Sequence, residues 1–225
     1  MKIPTNIHAG DRFSITPSGF FGSSSDKIVE LENFMTEEEL YKISNFAKNI
    51  KKWDYTETRY NEDGTVIYDS EYWKDRVATS IVINKQDPTI FPMIQKMVER
   101  LKLIVDDFFE VDAWATNPAI VRWLPGQFQN PHADKELHDG DNAGKPNDFP
   151  YYDLASLFYL NDDYAGGELF FPKQNISFKP KAGAAYFFPG DLNYIHGVSK
   201  IESGIRYTCP FFWTIRSHRN KDASN

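Results

Sequence analysis

Pro131-His132-Ala133-Asp134 places an imidazole and a carboxylate two residues apart. Two residues are one full strand repeat, so on an extended chain both side chains leave the same face and can share a cation. The triplet alone carries little weight: 5 histidines and 19 aspartates in 225 residues supply about 0.4 such matches by chance. Its weight comes from Asn193-Tyr194-Ile195-His196-Gly197, which offers a second imidazole, and from Arg206, ten residues further on. Two imidazoles and one carboxylate can hold a transition metal and leave other coordination positions open.

The surroundings of these residues have the period of a sheet. From Ala119 onward, residues 120–124, 155–161, 168–171, 176–178, 184–188 and 205–213 are strand candidates separated by Pro, Gly, Asn and Asp, a spacing that predicts a sandwich or barrel. The polar stretch 135–153 interrupts the series directly after Asp134. A loop of that length is a functional lid or a disordered insert.

The first half of the chain is different. Residues 1–27 are turn-rich and predict an irregular arm. Residues 28–34 alternate as a strand, and Thr36-Glu37-Glu38-Glu39 is a capping box that opens a helix, with Met35 and Leu40 placed for a hydrophobic staple. Leu40, Ile43, Ala47 and Ile50 form its apolar stripe. Residues 53–73 carry Trp53, Tyr55, Tyr60, Tyr68, Tyr72 and Trp73 around Asn61-Glu62-Asp63-Gly64 and predict an aromatic hairpin, either packing or a substrate-facing flap. A second helix begins near Pro88 to Pro92, with Ile90, Ile94, Met97, Leu101, Ile104 and Phe108 as its core face.

Aromatics at 16% and hydrophobic residues at 41% indicate one folded unit, 1–225, divided into the arm (1–27), helical support with the hairpin (28–118), a β core (119–216) and a flexible tail (217–225). The net charge of −7 argues against nucleic acid and anionic membranes as partners. No apolar run approaches a membrane span, and no leader is evident at the N-terminus. The single Cys209 cannot form an internal disulfide, which fits a reducing, cytoplasmic setting.

Two His and one carboxylate are the ligand set of non-haem Fe(II) oxygenases, and the motifs in order strengthen that likeness. His132-Ala133-Asp134, Tyr159-Leu160-Asn161, Gly166-Gly167-Glu168-Leu169-Phe170-Phe171-Pro172, Lys179-Pro180-Lys181-Ala182-Gly183, His196 and Arg206 resemble the 2-oxoglutarate and Fe(II)-dependent dioxygenases, in their prolyl 4-hydroxylase-like branch. The resemblance implies a mainly β fold with supporting α-helices, a double-stranded β-helix or jelly-roll barrel of the cupin kind. It also implies that His132, Asp134 and His196 are the catalytic iron ligands, and that Arg206 pairs with the distal carboxylate of 2-oxoglutarate with help from Tyr159. Thr208, on the same strand face as Arg206, adds a hydroxyl. The reaction implied is hydroxylation of an unactivated C–H bond, on prolyl residues of a peptide or protein. Fe(II), 2-oxoglutarate and O2 take part, succinate and CO2 form, and ascorbate (vitamin C) is the reductant.

The chain departs from that pattern in three places. Prolyl 4-hydroxylases usually carry lysine where Arg206 stands. Trp123-Leu124-Pro125-Gly126 lacks the tyrosine that often precedes the Pro-Gly, so one co-substrate contact is missing. The family tryptophan after the basic residue falls on Phe212 or Trp213, depending on whether Pro210 introduces a bulge. Competing readings keep the chemistry on a free amino acid or small metabolite, move it to nucleic-acid demethylation, which the acidic charge disfavours, or reduce the fold to a non-catalytic cupin-like metal-binding module. His8, His138 and His218 lack partnered motifs and read as solvent-exposed.

Overall fold

A computed structural model describes residues 16–53 and 73–218; the expected hairpin, apart from Trp53 and Trp73 at its ends, lies outside them. The elements follow in the order β1 (Val29–Leu31), α1 (Glu37–Asn49), β2 (Val77–Ala78), α2 (Ser80–Gln86), α3 (Ile90–Phe109), β3 (Val111–Ala115), β4 (Ile120–Trp123) and β5 (Gln129–His132). They continue with β6 (Leu154–Tyr159), β7 (Ala165–Gly166), β8 (Leu169–Phe171), β9 (Ile176–Phe178), β10 (Ala185–Pro189), β11 (His196–Val198), β12 (Ile201–Ser203) and β13 (Arg206–His218). The larger sheet runs β1-β10-β6-β13-β4-β2 with β3 also on β13, the smaller runs β5-β11-β8-β9, and β12 pairs with β7. All pairings are antiparallel. Together they make the double-stranded β-helix, backed by helices on one side.

The larger sheet is apolar on both faces, because each face meets a different core. In β6, Phe158 joins the helix-side cluster while Ala155, Leu157 and Tyr159 face the barrel; in β10, Ala185 and Phe187 alternate with Tyr186 and Phe188 in the same way. Truncating a buried phenylalanine such as Phe158 costs about 3–5 kcal/mol in comparable cores. The helices supply the outer layer. Thr36 caps α1 with both halves of the capping box, and Ile43, Ala47 and Ile50 bury against the sheet.

Several expectations are corrected. On α3 the buried face is Ile90, Phe91, Ile94, Met97, Val98, Leu101 and Val105, while Ile104 and Phe108 are 37% and 39% exposed. Residues 28–118 are not support alone, since β1, β2 and β3 extend the larger sheet. The expected strand over 28–34 is only Val29–Leu31. Ser217 and His218 end β13 in register with β3 rather than starting a tail. Pro210 makes no bulge against β6: it pairs with Leu157 in an unbroken register from Thr208 to Trp213. Its carbonyl accepts from Ala119 N–H on the side away from β6, and the N–H it lacks would lie on that same side, so the proline costs the β6 ladder no hydrogen bond.

Nor is 135–153 a disordered insert. Lys135 is 2% exposed, and its ammonium donates to Asp153 Oδ1 (2.6 Å), Thr16 O (2.6 Å) and Thr16 Oγ1 (2.8 Å). Asp153 also accepts from Thr16 Oγ1 at 2.6 Å and from Ile215 N–H at 2.9 Å, so the pair ties the arm, the loop and β13 together. Every proton of the ammonium has an acceptor, which offsets its desolvation. Replacing Lys135 with Met leaves Asp153 buried without its cation; unfolding in urea should show a loss of about 3–5 kcal/mol. A loss below about 1 kcal/mol would mean that the network is not a strut.

Candidate active site

The smaller sheet brings the two imidazoles together. β11 pairs with β5 so that His196 sits directly opposite His132, and directly opposed side chains on one face have Cβ atoms about 4.5–5.5 Å apart. The ring centroids are 4.5 Å apart. Asp134, just past the end of β5, turns its carboxylate to both: Oδ1 is 3.6 Å from His132 Nε2 and Oδ2 is 3.8 Å from His196 Nε2. One donor atom from each of the three residues lies within 4.8 Å of the others, a grouping able to hold a metal ion.

Backbone carbonyls set the tautomers. His132 Nδ1 lies 2.9 Å from Asn130 O and His196 Nδ1 lies 3.0 Å from Tyr194 O. A carbonyl can only accept, so each Nδ1 carries the proton and each Nε2 points its lone pair at the shared centre. Burial pushes His196 down to about 4, with His132 adding and Asp134 opposing, so this imidazole is neutral at pH 7. For His132, burial lowers the pKa but the Asp134 carboxylate and the Asn130 carbonyl outweigh it, and the balance is raised. Asp134 Oδ2 is buried with no hydrogen-bond partner among the described residues. A carboxylate oxygen left so is costly unless a cation completes it, and the donor set fits one.

Asp134 is held from behind. Its N–H donates to Gly190 O at 2.8 Å, and Asn147 Nδ2 donates to Asp134 O at 3.0 Å. Gly190 has no room for a side chain: a Cβ there would lie 2.3 Å from Tyr152 O and 3.2 Å from Asp134 Cβ.

The remaining candidates line the same barrel. Tyr159 shares a cluster with Phe171 and Phe188, whose rings pack on His196. Arg206 is 1% exposed and donates from Nη2 to Tyr159 Oη at 2.7 Å; its guanidinium also lies over the Tyr159 and Trp123 rings at 4.9 and 5.5 Å. None of the ion pairs among the described residues involves Arg206, and its Nε has no hydrogen-bond partner there. Burial raises the Tyr159 pKa and Arg206 opposes the rise, so the phenol stays protonated. Thr208, opposite Tyr159 in register, is buried on the Arg206 face.

All six expected site residues are thus placed around one barrel interior. Phe212, and not Trp213, faces that interior: Phe212 packs on the barrel cluster and stacks on Tyr152 at 3.9 Å, whereas Trp213 lies in the helix-side core with Nε1 donating to Ser156 Oγ at 2.7 Å. Gly190 escaped the sequence reading, since its contact with Asp134 spans 56 residues of chain.

The fold thus brings a metal-type donor set and a buried guanidinium into one barrel. Residues 118–214 match the model of the 2OG-Fe(II) oxygenase superfamily. A protein assigned as a prolyl 4-hydroxylase in Acanthamoeba polyphaga mimivirus is 28% identical over 138 residues, 58% of this chain and 52% of that one. Human prolyl 3-hydroxylase 3 is 31% identical over 100 residues, 40% of this chain and 14% of that one. The chain therefore spans about half the length of the first relative and much less of the second. The fold is shared with a viral collagen prolyl hydroxylase of Paramecium bursaria Chlorella virus-1, solved with 2OG (TM-score 0.54, 16% identity, 86% of this chain and 98% of that one). It is also shared with a Trichoplax adhaerens prolyl hydroxylase solved with a hypoxia inducible factor peptide (TM-score 0.54, 12% identity, 88% of both chains).

Gly190→Ala should push Asp134 off the shared centre. Equilibrium dialysis should show divalent-metal affinity falling about 10- to 100-fold, with the far-UV spectrum unchanged. Unaltered affinity would show that Gly190 does not position the carboxylate.

Proposed function

We propose that the chain is a 2-oxoglutarate- and Fe(II)-dependent hydroxylase acting on prolyl residues of a peptide or protein. One observation carries the reading: the His132, Asp134 and His196 donors converge in the same barrel as a buried guanidinium, Arg206, that has no carboxylate partner among the described residues. A binding module needs the first feature and has no use for the second.

His132, Asp134 and His196 would hold the iron through two neutral Nε2 atoms and one carboxylate oxygen, leaving positions for a keto acid and O2. Fe(II) held there with 2-oxoglutarate would supply the oxidation, one oxygen atom of O2 going to the substrate C–H bond and the other to succinate, with loss of CO2. Arg206 would pair its fork with the distal carboxylate. Tyr159 already accepts from Arg206, so its own O–H is free to turn to that carboxylate, and Thr208 would offer a second hydroxyl. Phe171 and Phe188, packed on His196, keep water from the metal's protein side. The mimivirus relative and the solved neighbours support a prolyl substrate, while the relatives named as 3-hydroxylases leave the ring position open. Ascorbate as reductant and a cytoplasmic setting belong to the same proposal. The second rests on a lone, buried Cys209; the described residues contain no helix long and apolar enough to cross a membrane.

Succinate release from 2-oxoglutarate, with Fe(II), ascorbate and O2, should be stimulated by a proline-containing peptide whose mass rises by one oxygen. Stimulation by a free amino acid instead would keep the chemistry and replace the substrate; iron binding with no succinate under any condition would leave a binding module. Asp134→Ala should abolish iron retention and turnover together, and normal turnover in that variant would remove the triad.

A further inference from the structure

We infer that Tyr164 is a ligand-binding residue of the same pocket, its hydroxyl joining Arg206 in holding the distal carboxylate of the co-substrate. The inference rests on the oxygenase reading above and adds a residue that the motif pattern does not supply.

Tyr164 lies in the turn between β6 and β7. It is 8% exposed, yet its hydroxyl is fully buried and has no hydrogen-bond partner among the described residues. A buried phenol normally finds a partner, and leaving one unpaired costs about 1–3 kcal/mol. The ring stands against Arg206. A Cβ built on Gly167 would lie 3.1 Å from both Tyr164 Cε2 and Arg206 Cδ, so the ring edge and the arginine stem border one point above that glycine. Gly167 has φ +71° and a Cβ would also come within 2.5 Å of Ile201 Cδ1, which leaves this corner to glycine and lets the two side chains close on each other. Burial raises the Tyr164 pKa to about 12 while the charge of Arg206 and its approach to the phenol oxygen oppose the rise, so at neutral pH the phenol keeps a proton to donate while its oxygen faces a cation.

Two groups in contact therefore carry unmet polar atoms: Tyr164 Oη and Arg206 Nε. Both have hydrogens to donate and neither is matched by an acceptor among the described residues. An anion with several acceptor oxygens is the ligand that satisfies both, and a carboxylate is the smallest such group.

The test compares two keto acids that differ only at the far end. 2-Oxoglutarate and 2-oxopentanoate would be titrated calorimetrically, without O2, into the Fe(II)-loaded full chain as wild type, Tyr164→Phe and Arg206→Met. Tyr164→Phe should weaken 2-oxoglutarate about tenfold, as expected for one charge-assisted hydrogen bond, and leave 2-oxopentanoate as in the wild type. Wild-type affinity for 2-oxoglutarate in that variant would overturn the inference, and so would an equal loss for both keto acids, which marks a packing role. If the wild type binds both acids alike, or Arg206→Met leaves 2-oxoglutarate unaffected, the co-substrate reading itself falls and takes Tyr164 with it.

Discussion

The opposition of His132 and His196 across β5 and β11 is the constraint on which the site depends. Side chains alternate along a strand, so a slip of one residue in this pairing would send one imidazole out of the barrel. The register is held by packing as much as by hydrogen bonds. Gly197 sits where a Cβ would lie 2.7 Å from both Gln129 O and the Phe170 ring, so β11 is gripped between β5 and β8 at the residue after the histidine. The pairing shifts at this glycine, between His196 and Val198, and the irregularity falls on the side away from Asp134. The carboxylate is fixed by different means, from Gly190 and from the buried Lys135 that follows it.

The larger sheet extends the same logic to charge. Because both its faces are buried, alternation along β13 sorts residues between two interiors rather than between interior and water. Tyr207, Cys209, Phe211 and Trp213 go to the helix side, and Arg206, Thr208 and Phe212 go to the barrel. The polar members of the strand therefore concentrate in the barrel, where the metal-type donors also point.

Legibility followed the range of the interactions. The capping box on α1 was readable because its partners, Thr36 and Glu39, are three residues apart. The stripe on α3 was readable to Leu101 and then failed. Steps of four and three keep a 3.5-residue period, whereas a straight helix turns in 3.6, so the buried row drifts and Val105 replaces Ile104. The triad and Arg206 could be found because their spacings carry the chemistry. Strands β7, β11 and β12, of two or three residues, could not, since only their partners make them strands. Lys135 was invisible for a related reason: a lysine in a polar, glycine-rich stretch reads as solvated until Thr16 and Asp153 close around it.

Arg206 also carries a cost in stability for the barrel. A guanidinium withdrawn from water loses hydration that one phenol oxygen and two aromatic faces replace only in part. A neutral side chain of similar volume would sit there at lower cost, so stability alone does not account for arginine at this position. The deficit is local and of one sign: unmet donors on Arg206 and Tyr164, matched at the other end of the interior by an unmet acceptor on Asp134. The donors call for an anion and the acceptor calls for a cation. In the function proposed above, a dicarboxylic keto acid held together with a metal ion would supply both and complete the two ends together.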